Sequence, residues 1–487
     1  MMIVLKKLVG QYAKMPISAR AGMWFTLCSI LQRGLSVISM PIFTRLFSTE
    51  AYGEYNLFNS WMMLFSLIVT LNLTQEVFNK GLIDHEDERS DYSMSQATLV
   101  TVLVALFYLL YLLLRIPINK VTGMSTTLTS VMFVDIYATT IVSLWLACKR
   151  FEYAYRPLVA VTLGIAFSSV VLGVISVYFA PEEYKVLARV VSDTLPFSFA
   201  ASCILFGVLR RSRCFYIMHW WSKAIKLAIP LVPHYASQVL LNQADKIIIG
   251  WFLNPSYVAI YGVAHSAGLL LVMINNGINA SYVPWLYDKL KNGNYSSVSH
   301  VANSLAVAVL LPVFFLMILS PECVRLLATE DYLEAIWCIP PIATSVVFSF
   351  VYTLFVNVEI YYGKTWCVAV ASILSAVLNA VLNYWLIPRF GYIAAAYVTS
   401  ACYLATALLH LCFLRRIVRN SNSSIQIYDF RFLLGVCLAA IVCAGVAICL
   451  YLTGVFRYAF VLLMLAVAYR FRNKVSSIAR IVRRADV

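Results

Sequence analysis

The chain has 487 residues, of which 62% are hydrophobic and 12% are charged, with a mean hydropathy of +0.82 and a formal net charge of +15. A water-soluble domain of this composition would expose far more apolar surface than globular proteins do. The composition therefore excludes a soluble or surface-attached enzyme and predicts an integral membrane protein.

Apolar windows recur from residue 21 onwards, and each is wide enough for the roughly 20 residues with which a helix crosses the hydrocarbon core. They lack the ten-residue alternation of a membrane barrel, so the predicted fold class is all-α with about fourteen transmembrane helices. The last window is short, because about fourteen residues separate Arg457 from Arg470, and thirteen spans are the alternative. The predicted spans are 21–43, 54–78, 96–116, 124–147, 157–179, 187–209, 225–252, 256–285, 301–320, 334–359, 365–387, 393–413, 431–452 and 457–471.

Lysine and arginine are distributed unevenly between alternate connections. One set, which includes both tails, holds 27 of the 37, so that side is predicted to be cytoplasmic and the number of spans even. Residues 1–20 form a cytoplasmic tail, either solvated or lying along the membrane as an amphipathic helix, and residues 472–487 form a basic cytoplasmic tail. This asymmetry accounts for the net charge without a nucleic-acid partner.

An internal repeat organises the chain. The segment FSTEAYGEY (Phe47–Tyr55) follows the first span, and LNPSYVAIY (Leu253–Tyr261) lies 206 residues later. Pro181 and Pro388 close the fifth and eleventh spans 207 residues apart. The repeat predicts two six-helix lobes, 21–209 and 225–413, joined by a cytoplasmic linker at 210–226 and followed by an extra helix pair at 431–471. Two lobes in parallel orientation would enclose a central cavity.

Cysteines and loops offer no catalytic or metal centre. Most of the twelve cysteines lie within predicted spans, and none forms a pair with metal-ligand spacing. The connections are too short to fold into a catalytic domain. The sequence therefore predicts a transporter with no cofactor and no metal, not an enzyme.

Polar residues inside spans are costly in lipid and usually face a bundle interior or a wet cavity. Four of them recur at intervals of four, four and three in the seventh span, on one helical face: His234, Gln238, Asn242 and Asp245. Other spans carry comparable stripes, which we expect to converge: Tyr261, His265, Asn275, Asn279 and Tyr282 in the eighth; Ser372, Ser375, Asn379 and Asn383 in the eleventh; Asp135, Thr139 and Ser143 in the fourth; Ser29, Arg33 and Ser36 in the first. The alternative is that the neutral residues only hold helices together.

Charged residues inside spans leave further alternatives open. Arg33 costs roughly 2.5 to 3.5 kcal/mol at the bilayer centre, so it either binds a substrate anion or pairs with Asp135 or Asp245. Lys246 either binds substrate, pairs with Asp245 or reaches the outer face. His234 is either a proton shuttle or a packing residue. Glu76 and Glu359 lie near the cytoplasmic ends of their spans, where solvated gate residues are the expectation.

Several motifs carry a family resemblance. The segment TRLFSTEAYGEY (Thr44–Tyr55) resembles the loop after the first helix of polysaccharide-biosynthesis flippases, the O-antigen flippases of the multidrug/oligosaccharidyl-lipid/polysaccharide exporter superfamily. NQADKIIIGWFL (Asn242–Leu253) and VAIYGVA (Val258–Ala264) resemble the start of their second lobe, and Pro284 fits the same pattern.

The resemblance implies twelve core helices in two lobes around a cavity, with fourteen in the O-antigen branch. The substrate would be an undecaprenyl-pyrophosphate-linked oligosaccharide, flipped to the periplasmic leaflet of a bacterial inner membrane by alternating access coupled to a proton or sodium gradient. Polymerase and chain-length proteins of the pathway would be partners. Asp245 occupies the position where these flippases commonly carry an acidic residue.

The combined hypothesis gives each group a role. Arg33, with Lys246, would hold the diphosphate, while neutral and aromatic groups bind the glycan. The cavity residues would be Arg33, Lys246, Asn242, Gln238, His234, Asn275, Asn279, Tyr261 and Tyr282, and the coupling or gating residues Asp245, Asp135, Glu359 and Glu76. A drug or cation antiporter of the same superfamily is the alternative. A membrane-embedded glycan polymerase is less favoured, because no large outer loop exists to carry its catalytic cluster.

Overall fold

The computed structural model describes residues 15–210, 212, 214–420, 427–451, 453, 454 and 456–462, without the side chains of Arg33 and Asn420. This part of the chain is built from helices and their connections. The chain divides into two compact units between Ala236 and Ser237, close to the boundary that the repeat predicts.

The first unit holds nine complete helices among its described residues. They are α1 (Ile17–Leu46), α2 (Thr49–Thr70), α3 (Glu76–Asp84), α4 (Arg89–Leu113), α5 (Arg115–Thr122), α6 (Thr126–Phe151), α7 (Tyr155–Phe179), α8 (Lys185–Leu209) and α9 (Met218–Ala228). Its long helices pack mainly as the pairs α6 with α8, α7 with α8, and α1 with α7.

Helix α10 (Val232–Phe252) begins in the first unit and carries the chain into the second. The remaining helices are α11 (Pro255–Lys291), α12 (Tyr295–Ile318), α13 (Ser320–Leu327), α14 (Ile339–Tyr361), α15 (Thr365–Phe390), α16 (Ile393–Asn420) and α17 (Phe430–Tyr451). A 3₁₀ segment, Glu330–Trp337, connects α13 to α14. Helix α14 is the core of the second unit, because its apolar side chains are buried against α11, α12, α16 and α17.

Twelve helical stretches of the described chain are long and apolar enough to cross a bilayer. Helix α2 is more polar and is not among the twelve, although its 22 residues coincide with the predicted second span. The predicted span at 457–471 lies largely outside the described residues, of which 456–462 are helical. The all-α, multi-span fold class is therefore confirmed.

The predicted second span, 54–78, is wrong at its end. Helix α2 stops at Thr70 because Leu71 and Asn72 adopt left-handed backbone angles, with φ of 50° and 51°. The short helix α3 then starts at Glu76. The segment predicted as a linker, 210–226, contains most of the amphipathic helix α9.

The repeat is visible in the helix starts. Helices α2 and α11 begin 206 residues apart, and each has a capping side chain just before it. The Ser48 side chain accepts a hydrogen bond from the Ala51 amide, and the Asn254 side chain accepts one from the Tyr257 amide. These caps satisfy amide groups that a helix start leaves unpaired. The motifs quoted for the repeat thus mark equivalent helix starts in the two units.

Candidate functional site

The most distinctive polar site of the second unit surrounds Asp245 on α10, whose side chain is only 3% exposed. Its Oδ2 accepts hydrogen bonds from the Tyr261 hydroxyl of α11 at 2.5 Å and from the Thr399 hydroxyl of α16 at 2.6 Å. Its Oδ1 accepts a hydrogen bond from Asn383 Nδ2 of α15 at 2.5 Å. Four helices of the same unit therefore meet at one carboxylate.

The asparagines of α15 extend this site. Asn383 Nδ2 also donates to Asn379 Oδ1 at 3.1 Å, and both side chains are fully buried. Because the Asn383 amide nitrogen faces those two oxygens, its own Oδ1 points the other way, where no described group donates to it. The site thus combines a carboxylate with buried neutral oxygens.

All the hydrogen-bond partners named for Asp245 are neutral, and within the described residues no Lys, Arg or His nitrogen lies within ion-pair distance of it. The adjacent Lys246 points elsewhere, and its Nζ lies 3.4 Å from Gln243 Oε1. A buried carboxylate without a compensating cation is costly, so it tends to take up a proton or a positive ion. The Asp245 carboxylate is therefore a candidate binding group for a proton or a small cation.

The predicted polar face of α10 is divided between two environments. Asp245 is buried, whereas Gln238 and Asn242 are exposed and His234 is partly exposed. Asn242 Nδ2 donates to the Gln238 carbonyl one turn earlier at 2.7 Å. The structure therefore joins Asp245, Tyr261 and the α15 asparagines, as expected for converging stripes, but leaves the exposed amides outside this cluster.

The remaining residues predicted on the eighth span make contacts between helices of the second unit. Asn275 Nδ2 donates to the Val346 carbonyl at 3.0 Å, and Asn279 Oδ1 accepts from Asn357 at 2.7 Å. The Tyr282 and Tyr428 hydroxyls lie 3.3 Å apart. These bonds connect α11 to α14 and to the segment before α17, which is the helix-packing role left open from the sequence.

The expectation that Glu359 is solvated is wrong. Its side chain is 0% exposed, and both carboxylate oxygens lie within 3.0 Å of His410 Nδ1 on α16. The ring of Tyr352 stacks on the imidazole. The position near a helix end suggested solvent, but packing of α14 against α16 closes it off. Glu76, by contrast, is exposed at the start of α3.

Two predicted charges lie in the first unit. Asp135 on α6 is 5% exposed, and its Oδ1 has no hydrogen-bond partner among the described groups. Arg33 lies within α1, but its side chain is outside the described part of the chain. An ion pair between them therefore stays a prediction.

A polar cluster around Arg189, near the start of the predicted sixth span, was not among the polar sites predicted from the sequence. Arg189 on α8 is 6% exposed, and its Nη1 lies 2.6 Å from Asp193 Oδ1. Its guanidinium carbon is 4.1 Å from the Phe43 ring centroid. The Tyr55 hydroxyl donates to Asp193 Oδ2 at 2.9 Å. The four-residue spacing of Arg189 and Asp193 on a predicted helix was the available signal.

Packed helical units with buried polar clusters define a polytopic membrane transporter fold, and solved structures share it. The lipid II flippase MurJ in an inward closed conformation superposes with a TM-score of 0.67 at 12% identity, over 93% of this chain and 100% of that one. An inward-facing multidrug resistance MATE family transporter of the MOP superfamily gives a TM-score of 0.61 at 12% identity, over 81% and 96%. At this identity the likeness establishes the fold alone.

The chain belongs to the polysaccharide biosynthesis protein family, whose model matches residues 18–288. The MatE model matches residues 230–385. The resemblance carried by the loop motifs is thereby confirmed.

Two curated relatives match part of the chain. A protein of the Lsg locus of Haemophilus influenzae is 24% identical over 47% of this chain. A Haloferax volcanii protein described as a probable low-salt glycan biosynthesis flippase, Agl15, is 25% identical over 36% of it. The matches span 58% and 38% of the relatives' own lengths.

Proposed function

We propose that this protein is a flippase that carries a lipid-linked oligosaccharide across a membrane by alternating access, driven by a cation that binds at Asp245. Family membership and the flippase among the relatives support the glycan cargo. Among the described residues no Lys, Arg or His nitrogen lies within ion-pair distance of the Asp245 carboxylate, and this observation supports ion coupling. Undecaprenyl pyrophosphate as the carrier, an O-antigen or related repeat unit as the glycan, and the inner membrane as the location belong to the same proposal.

The coupling step follows from the geometry around Asp245. When a cation or proton neutralises the carboxylate, the hydroxyl and amide groups around it no longer need to hold all their hydrogen bonds on its oxygens. Because those groups come from α11, α15 and α16, their rearrangement changes how these helices pack against α10. An ion gradient can thereby bias one conformation of the second unit over another.

The cargo requires a different set of groups. A diphosphate needs cations in a low-dielectric site, for which Arg33 and Lys246 are the proposed residues. The exposed Gln238 and Asn242 on α10 supply neutral donors and acceptors of the kind that sugar hydroxyls require. Weak, distributed contacts of this type allow both binding and release.

A drug or cation antiporter is the second candidate, because the MatE model matches residues 230–385. It would also use an exchangeable cation at Asp245. The two candidates differ in cargo: an antiporter would carry a soluble organic cation, and its loss would leave lipid-linked glycan pools unchanged.

The decisive experiment determines in which leaflet lipid-linked oligosaccharide accumulates in a strain that lacks the gene. Enzymes that reach only one leaflet provide this readout. Accumulation on the cytoplasmic leaflet, relieved by the wild-type gene and not by Asp245→Asn, is the expected result. Accumulation of unpolymerised units on the outer leaflet would favour a polymerase. Unchanged pools together with altered resistance to organic cations would favour the antiporter.

The coupling ion is read separately in proteoliposomes that contain fluorescently labelled lipid-linked oligosaccharide. A sodium gradient is imposed at constant pH, and a pH gradient is imposed without sodium. If one of the two gradients accelerates flipping, the ion of that gradient is the coupling ion. If flipping is equally fast with either gradient and with none, coupling is contradicted. Glu183→Gln serves as a control that removes an exposed carboxylate from the short turn between α7 and α8.

A further inference from the structure

The first unit contains a long groove between α4, α6, α7 and α8, with a volume of about 1090 Å³. Its lining runs from Pro157 to Leu172 along α7 and from Leu195 to Val208 along α8. At 1.5 Å per residue, each stretch is about 20 Å long. Half of a typical hydrocarbon core measures about 15 Å, so the groove is deeper than one leaflet's apolar layer.

Small side chains create the groove. Ala160, Gly164 and Ser168 stand one helical turn apart on the lining face of α7, and Ala200 and Gly207 line it from α8. A Cβ atom added at Gly164 or Gly207 would meet no heavy atom within 4 Å. Small side chains on these two helices therefore leave the space open, and an added Cβ atom at either glycine would not displace a neighbour.

The groove has a polar mouth and an apolar body. Arg89 and Ser93 of α4 and Lys149 of α6 line the mouth, at the start of one helix and the end of the other. The body is lined by aliphatic and aromatic side chains, of which Leu195 and Phe199 are 55% and 74% exposed. This gradient matches an amphipathic molecule with one charged end.

The two cations at the mouth are available to an anion. Arg89 pairs with Glu86, whose side chain is 74% exposed, and Lys149 pairs with Glu152, whose side chain is 42% exposed. Both carboxylates lie at the more exposed end of their pair, so they can return to water when another anion takes their place. A guanidinium and an ammonium together suit a phosphate.

We infer that this groove holds the polyprenyl chain of a lipid-linked substrate during loading, with its phosphate end at Arg89 and Lys149 before that end passes to Arg33 and Lys246. This inference rests on the proposed flippase function. The groove's length favours a single extended chain, and the charge at its mouth favours a phosphate end. The mouth lies on the side that the distribution of lysine and arginine predicts to be cytoplasmic, which is the leaflet where such a substrate would be loaded.

Binding can be tested on the purified full chain in nanodiscs of phosphatidylcholine, with undecaprenyl phosphate as the probe and native mass spectrometry as the readout. Gly164→Phe is expected to fill the groove and lower retention of the probe at least tenfold. Gly445→Phe is the matched control, because a Cβ there also meets no atom within 4 Å, on the exposed side of α17. Gly207→Leu provides a second, smaller obstruction.

Competition binding distinguishes a polyprenyl phosphate from an ordinary membrane lipid as the ligand of the groove. Undecaprenol without phosphate and dioleoyl phosphatidic acid are each added in excess. Weak competition by both supports a site for a polyprenyl phosphate. Equal competition by phosphatidic acid would assign the groove to ordinary membrane lipid and overturn the inference, as would full retention of the probe by Gly164→Phe.

The flipping assay separates this inference from the proposed function. If wild-type protein flips lipid-linked glycan and Gly164→Phe flips it equally well, the groove inference fails while the function stands. If wild-type protein does not flip glycan, the proposed function fails. Slowed flipping in Gly164→Phe, with normal flipping in Gly445→Phe, supports both.

Discussion

In each unit a tyrosine hydroxyl contacts a carboxylate on another helix, but the two carboxylates differ in their other partners. In each, a tyrosine seven residues after a helix-capping side chain donates a hydrogen bond to a carboxylate: Tyr55 to Asp193 in the first unit and Tyr261 to Asp245 in the second. In the first unit, Arg189 pairs with the carboxylate and lies over Phe43. In the second, the donors named for Asp245 are all neutral.

Under the proposed function, this difference separates a structural site from one that exchanges a cation. The guanidinium of Arg189 is covalently part of the protein and always charged, so the cluster of the first unit always contains its own positive charge. In the Asp245 cluster no described residue supplies a positive charge, and the proposed function assigns that charge to a proton or a metal cation from outside. Under the proposed function, an ion gradient would act on Asp245 of the second unit, whereas the corresponding carboxylate of the first unit has a fixed cation beside it.

The largest expected effect on transport is that of Asp245→Asn. The amide keeps the shape of the side chain but removes the charge that attracts the coupling ion, so gradient-driven flipping should fall at least a hundredfold. The protein should remain folded, because an uncompensated buried charge is removed. Flipping in proteoliposomes and thermal unfolding measure the two quantities, and coupling that survives in the variant would contradict the role of Asp245.

The largest expected effect on stability is that of Arg189→Met, which breaks the cluster of the first unit. Removing one partner of a buried pair costs about 3 to 5 kcal/mol. The partial exposure of Asp193 reduces this to about 2 kcal/mol. Chemical denaturation in detergent gives the free energy of unfolding. The matched change Lys185→Met, at a partly exposed ion pair of the same helix, should cost less than half as much.

Gly173→Ala tests the same cluster by steric means. A Cβ at this position would lie 2.4 Å from Arg189 Nη1 and 3.0 Å from the Phe43 ring. The guanidinium must therefore move, which weakens its contact with Asp193 and should cost about 1 to 3 kcal/mol. Gly164→Ala on the same helix meets open space and should leave the unfolding midpoint nearly unchanged. Equal midpoints for both variants would contradict the tight packing around Arg189.

A smaller effect is expected from Thr399→Val, which removes one hydroxyl donor from Asp245 while preserving the side-chain shape. A hydrogen bond to a charged group contributes about 1.5 to 3 kcal/mol, so the apparent affinity for the coupling ion should shift about tenfold. The ion dependence of flipping measures it. Thr406→Val is the control on the same helix, because that hydroxyl contacts Ser375, and an equal shift there would exclude a direct effect through Asp245.

The smallest effect concerns Asp84, an exposed carboxylate between the spans. The hydrogen bond and charge of Lys223 lower its pKa from the ordinary value. The interaction of Lys223 with Asp84 therefore stabilises the folded state above the pKa that Asp84 has in the unfolded chain. This stabilisation is lost as pH falls through the lowered pKa of Asp84 in the folded state. Between neutral and acidic pH, the melting temperature of Lys223→Ala should fall less than that of the wild-type protein. Lys289→Ala, at the exposed Asp288 pair, is the control, and identical acid profiles for wild type and Lys223→Ala would exclude the linkage.

The sequence by itself determined the helical membrane fold, the approximate spans and the repeat. Hydrophobic length and helical periodicity are local properties, and lipid leaves helices as the default for isolated apolar runs. It also singled out Asp245, Tyr261 and the α15 asparagines, because polar residues inside spans stand out against an apolar background.

Only the tertiary structure decided which polar side chains meet. Thr399 and His410 were not singled out, because nothing in the sequence says which helices lie next to α10 or α14. Arg189 lay within the predicted sixth span without an assigned partner, because only packing brings together the carboxylate and the aromatic ring that stabilise a buried arginine. The groove at Gly164 also depends on packing, because an empty volume is defined by the distances between helices rather than by any one of them.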